Sequence, residues 1–182
     1  MNTQNEQIGF TPDSVRTQFV ILAVSWWIGF PLSIVGTLEN LYPLALLCVP
    51  AIIVATVFWC ILLYRHWSLL QGHGARSTPG KAVGYGFIPI FWFYWWYYAY
   101  VGLAEDNNRY LTECGITPLR MSRGLAVTYY ILNVCGITLG LIPIVGAVLT
   151  IPFMIIGFIL AQQQRDCILA IMQHRSDSSI VG

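Results

Sequence analysis

Four stretches of this chain carry no Asp, Glu, Lys or Arg: residues 17–38, 40–64, 82–104 and 124–164. Charge is confined to short clusters between them. Each of the first three stretches suits one passage across a bilayer, which takes about 20 residues. The fourth is too long: extended to Met172 as one helix, it would reach roughly 70 Å against a hydrocarbon core of about 30 Å. Gly136, Gly140, Pro143 and Gly146 mark a break in it, so it is read as two helices. The pattern predicts an all-α integral membrane helical bundle with five transmembrane helices. Four crossings with a re-entrant segment around Pro143 is the alternative.

The first helix is expected over about 15–35, bent at Pro31, and the second over about 41–67, with Pro43 near its start and Pro50 inside. Proline is tolerated in a membrane helix where neighbours satisfy the freed carbonyl. A polar loop at 71–78 then leads to Thr78-Pro79, an N-cap followed by proline at the first helical position. From there a third helix is expected to run to Glu113, stopped by Gly115 and Pro118. Some 30 residues at 1.5 Å give roughly 45 Å, so its last two turns are expected to project into water, with Glu105 and Arg109 paired at i,i+4. The last helix bends at Pro152 and continues amphipathically past Gln164, with Ile168, Leu169, Ile171 and Met172 on one side. The division that follows is a polar N-terminal segment (1–14), one transmembrane domain (15–175) and a disordered tail (176–182).

Composition sharpens the class. Hydrophobic residues make up 57% of the chain and charged ones 9%, with a mean hydropathy of +0.65, far from ordinary globular usage. A net charge of +1 gives nucleic acid nothing to bind. The first fifteen residues are polar, with Glu6 and Asp13, so the first apolar segment is read as a retained helix rather than a secretion signal. The five cysteines form no CxxC pair, and no disulfide framework is expected. Orientation is left open: five crossings divide the basic residues four against five, whereas four crossings would put six of the nine on the N-terminal side.

The most conspicuous segment is Phe-Trp-Phe-Tyr-Trp-Trp-Tyr-Tyr-Ala-Tyr at 91–100, nine aromatics in ten positions. At 100° per residue, Trp92, Trp95 and Trp96 share one face and Tyr94, Tyr97 and Tyr98 the opposite one. Three hydroxyls at membrane depth need partners, so the tyrosine face is expected to look into the bundle or a wet cavity and to continue to Glu105 and Arg109. The tryptophan face is expected against lipid or a protein partner. Simple volume filling by the rings competes with a tyrosine-lined groove for a lipid headgroup or cationic ligand.

Other candidate chemistry is thinner. His66 and His73 lack a third ligand at a recognisable spacing, so they are read as interface histidines, not a metal site. Arg65, His66, Arg76 and Lys81 form a cluster able to attract anionic headgroups or simply to flank the membrane. Glu105 and Asp106 adjoin and so point to different faces, which argues against an acid/base pair. No nucleophile elbow, phosphate loop or HExxH helix appears. Asn133 is expected to hydrogen-bond between helices. The echo between Thr78-Pro79 and Thr117-Pro118 is treated as chance. No catalytic residue, metal or cofactor is assigned.

The stretch Tyr64-Arg65 through Thr78-Pro79-Gly80-Lys81-Ala82-Val83-Gly84, then Phe87-Ile88-Pro89, resembles an uncharacterised bacterial family of multi-pass membrane proteins. That family is built on a domain of unknown function, in some relatives placed behind a GYF-like domain. Gly102-Leu103-Ala104-Glu105-Asp106-Asn107-Asn108-Arg109-Tyr110-Leu111 and Ile142-Pro143-Ile144-Val145-Gly146 are similar to it too, so the likeness spans roughly 55–172. Trp92 stands where relatives often carry Asn. The resemblance implies a bacterial inner-membrane protein and brings no catalytic residues.

Two functions are expected. The first is a non-enzymatic assembly or scaffold module, meeting a membrane-protein partner or another copy through Trp92, Trp95, Trp96 and the projecting ends near 105–113 and 164–175. The alternative is binding or transport of a lipid or small hydrophobic compound, with Tyr94, Tyr97 and Tyr98 lining the path and Arg109 or Lys81 meeting a headgroup.

Overall fold

The computed structural model describes residues 10–38, 42–116, 119–139 and 142–181, and all regular structure among them is helical. Helix α1 (Pro12–Leu38) and helix α2 (Tyr42–Leu69) form an antiparallel pair. A short helix α3 (Pro79–Gly84) and a 3-10 turn (Tyr85–Phe87) lead to α4 (Phe91–Tyr97). A π turn (Tyr98–Gly102) joins α4 to α5 (Leu103–Glu113). Helices α6 (Arg123–Leu139) and α7 (Pro143–Val181) complete the bundle. Thr117 and Pro118 lie outside the described residues; α6 instead starts from Ser122, whose hydroxyl accepts from Leu125 N–H.

Three helices are long and apolar enough to cross a membrane: Pro12–Gly36, Cys48–Leu69 and Ile144–Ser178. Their outward faces are bare aliphatic surface, with Leu46 72% and Ile144 71% exposed. Such a belt marks a membrane protein, because lipid is the solvent in which it costs nothing.

The chain begins α1 one turn earlier than expected. Thr11 and Ser14 exchange backbone-to-hydroxyl bonds of 3.2 Å each, a reciprocal cap ahead of Pro12. Thr78 caps α3 as predicted, its hydroxyl accepting from Lys81 N–H. Gly115, with φ +67°, ends α5 as predicted, and Ile116 N–H reaches back to Leu111 O at 2.9 Å. At the other end, α7 runs to Val181, through residues where a disordered tail is expected.

The largest departure concerns the expected third helix, which is not one rod. Pro89 holds Ile88 in extended backbone, Ile90 takes φ +67°, and the chain reverses. Trp95 Nε1 then donates to Ala82 O at 3.1 Å, and Trp96 lies against Gly86. The outgoing and returning limbs therefore lie side by side. Arg76 before the hairpin meets Glu105 after it at 2.6 Å, so both limbs open at the same end of the bundle. From Glu105 to Phe91 the returning limb is roughly 20 Å deep, about two thirds of a hydrocarbon core. The segment doubles back where a straight crossing was predicted.

The core is an aromatic knot drawn from separate helices. Trp26 of α1, Trp59 of α2, Tyr129 of α6 and Phe153 of α7 stack in a closed ring, with centroid distances of 5.3, 5.3, 4.9 and 5.7 Å around it. Tyr100 enters edge-on from the hairpin, 5.1 Å from Tyr129, and its hydroxyl accepts from Trp59 Nε1 at 2.8 Å. Gly157 leaves the room: a Cβ there would stand 2.7 Å from Trp26 and 2.8 Å from Tyr129.

Candidate functional site

The polar end of the bundle is closed by charge. Arg76 holds Glu105 at 2.6 Å and Asp106 at 3.0 Å, and its backbone N–H donates to Asp106 Oδ2 at 2.9 Å. Arg123 reaches Glu105 at 2.8 Å, while Arg109 lies 3.5 Å from Asp106 and donates to Gly74 O at 2.7 Å. Asp106 is almost wholly buried, and its Oδ1 is held by charge at these distances without an aligned hydrogen bond. The hydrogen bond to Glu105 pushes the Arg76 guanidinium above its ordinary value, so the clasp stays charged. The expected pair between Glu105 and Arg109 is replaced by these longer-range partners. The two neighbouring carboxylates, expected on different faces, are gathered by a single arginine.

Nor do the last two turns of α5 project into water. Asp106, Asn107, Tyr110 and Leu111 are buried, as are Gln164, Ile168, Ile171 and Met172 of α7. Between them lies a polar knot. His66 Nε2 stands 2.9 Å from Asn107 Oδ1, which makes the ring the donor and leaves Nδ1 without a partner. Asn107 Nδ2 donates in turn to Cys167 Sγ at 3.4 Å. His66 is thus an interior residue joining α2, α5 and α7, where an interface histidine was expected. His73 sits apart from it, edge-on to Tyr110 at 4.6 Å.

The aromatic faces are inverted relative to expectation. Trp95 and Trp96 turn inward and pack on the core, while Tyr94 (56% exposed), Tyr97 and Tyr98 face out. Trp95 finds a carbonyl on the other limb and Trp96 stacks on Tyr100 at 4.9 Å, so the hairpin itself supplies the inward contacts. The π turn inserts a residue and rotates the register, so Tyr100 is buried and the tyrosine face does not continue to Glu105. Tyr94 packs on Tyr98 at 4.8 Å and Tyr97 edge-on to Tyr130 at 5.5 Å. Trp92 stacks on Phe93 at 3.8 Å. Lys81 is exposed, and Arg109 is committed to the hairpin base. The predicted ligand residues are not brought together.

A different surface is concave. A groove of about 1010 Å³ runs along α2, walled by Val83 and Phe87 of the hairpin. Its floor is Ile53, Val57, Cys60 and Ile61, and Arg65 and Arg175 stand at its polar end. From Ile52 to Arg65 it extends roughly 20 Å along the helix. Arg65 donates to Ser14 Oγ at 2.9 Å and lies over the Phe10 ring at 4.6 Å. Arg175 donates to Leu69 O at 2.5 Å and to Tyr110 Oη at 3.4 Å. Burial pushes the Tyr110 phenol up, which keeps it a neutral partner. Arg65 belongs to the basic cluster seen in the sequence; Arg175 gave no signal there, because only the packing of α7 on α2 brings it across. A second cavity, of about 310 Å³, lies between α1, α6 and α7 and is lined by Ser33, Asn133 and Thr150. Asn133 makes no interhelical hydrogen bond among the described residues, contrary to expectation.

Comparison with protein-family models, with curated proteins and with solved structures returned no match.

Proposed function

We infer that the protein is a non-enzymatic, multi-pass module of a cell inner membrane that holds a lipid or small hydrophobic compound. Its seat is the groove between α2 and the re-entrant hairpin. The membrane topology in this reading is four crossings, α1, α2, α6 and α7, with residues 76–105 entering and leaving on one side. Contacts support it: Arg65 bonds Ser14, Arg123 bonds Glu105, Arg165 covers Phe19 and Arg175 bonds Leu69, so helix ends that share a side meet. All nine Lys and Arg then lie at one end, which the positive-inside rule makes cytoplasmic. The bacterial family resemblance accords with this location.

The observation that carries the ligand reading is the groove itself: long, apolar, open sideways to lipid, and of a size typical for small-molecule sites. The assembly reading relied on helix ends at 105–113 and 164–175 that pack on each other within the chain. The test is extraction in native lipid, followed by mass spectrometry of everything that copurifies. A retained amphiphile that Val57→Trp expels supports the reading. A stoichiometric protein partner, with lipid content unchanged by Val57→Trp, returns the assembly reading.

A further inference from the structure

We propose that the groove selects an anionic phospholipid, with one acyl chain along α2 and its phosphate held by Arg65 and Arg175. This deepens the ligand reading above and rests on it.

The argument is charge complementarity. Five arginines of this chain, Arg16, Arg76, Arg109, Arg123 and Arg165, have a carboxylate within 4 Å. Arg65 and Arg175 do not: their partners are hydroxyls, carbonyls and aromatic rings. Those partners fix where each guanidinium sits and leave its charge uncancelled. Each guanidinium carries five N–H donors, more than these contacts use. No acidic residue lines the groove. Lys81 and Arg120 also lack a carboxylate among the described residues, yet neither lines it.

Geometry assigns the rest. The two arginines stand at the polar end of a trough that runs inward for roughly 20 Å, the direction and reach of an acyl chain from its headgroup. Ser68 and Tyr64 border the same end and offer hydroxyls to ester or glycerol oxygens. A zwitterionic lipid fills the trough equally well, but its own ammonium partly cancels the phosphate. Selectivity is therefore expected to reside in the two arginines and retention in the apolar floor.

The test uses the full chain in nanodiscs of mixed phosphatidylcholine and phosphatidylglycerol, with native mass spectrometry of the lipids that stay bound. Phosphatidylglycerol should be enriched over its share of the bilayer. Arg65→Gln and Arg175→Gln should each lower that enrichment about fivefold, from roughly 1 kcal/mol per basic residue near the surface. Arg65→Lys and Arg175→Lys should retain most of it, and Arg120→Gln should leave it unchanged. Thermal unfolding of each variant separates lost selectivity from lost fold, and the lysine variants keep the test decisive if a glutamine variant unfolds. Bound lipid without enrichment, still expelled by Val57→Trp, overturns the anionic selectivity and leaves the groove reading standing. Bound lipid indifferent to Val57→Trp overturns the groove reading too.

Discussion

Two aromatic assemblies sit in this molecule, and the one that catches the eye in the sequence is not the one that holds the bundle. The run at 91–100 concentrates nine rings in ten residues, yet Phe91, Tyr94, Tyr97 and Tyr98 are exposed. The knot of Trp26, Trp59, Tyr129 and Phe153 takes one ring from each of four helices and buries nearly all of that surface. In lipid, burying a ring gains little from leaving the solvent, since acyl chains are as apolar as the core. What counts is packing and the polar edge of each ring. The knot supplies both: stacked faces, and indole N–H groups that reach Tyr100 Oη and Met154 O. Density of aromatics along the chain is a statement about composition, whereas stabilisation depends on convergence in space.

Breaking the knot should have the largest effect. Trp59→Ala removes two stacked contacts and the donor to Tyr100, with an expected cost of about 3–5 kcal/mol. Thermal unfolding in detergent should show it as a large loss of melting temperature. Gly157→Ala drives a Cβ into two rings that cannot yield without unstacking, for about 1–3 kcal/mol; rescue by Tyr129→Ala would show that the clash lies there. At the base of the hairpin, Arg76→Gln leaves the buried Asp106 carboxylate with Arg109 alone, costing about 2 kcal/mol. Protease sensitivity between residues 71 and 78 should rise with it. At the hairpin tip, Ile90→Gly should stabilise by about 1 kcal/mol, because a β-branched residue at φ +67° is strained. Least of all, replacing Tyr94, Tyr97 and Tyr98 together with Phe should change stability by less than about 0.5 kcal/mol. A loss comparable to that of Trp59→Ala would erase the contrast between the two assemblies.

Much of the fold is legible without coordinates where the cause is local. Charge-free lengths mark the apolar helices, Thr78-Pro79 and Gly115 mark a start and a stop, and the break near Pro143 separates α6 from α7. The hairpin was misread because Pro89 sits in a stretch whose periodicity suits a helix on both sides. Nothing local states that Arg76 and Glu105 will meet. The helical projection of the aromatic run failed for a related reason, since one inserted residue at the π turn rotates everything after it. Of the candidate site, Arg65 was visible as part of a basic cluster, while Arg175 and Phe87 carry no signal until their helices pack.

The chain by itself determines its solvent, its helical class, the caps of several helices and the confinement of charge to short clusters. These follow from side-chain transfer into lipid and from backbone hydrogen bonding, both properties of a residue and its near neighbours. Tertiary structure alone decides that the aromatic segment doubles back, that rings from four helices converge, and that two arginines 110 positions apart border one groove. Those outcomes depend on contacts between residues far apart in sequence. Their energies arise only when surfaces meet, and no periodicity records them.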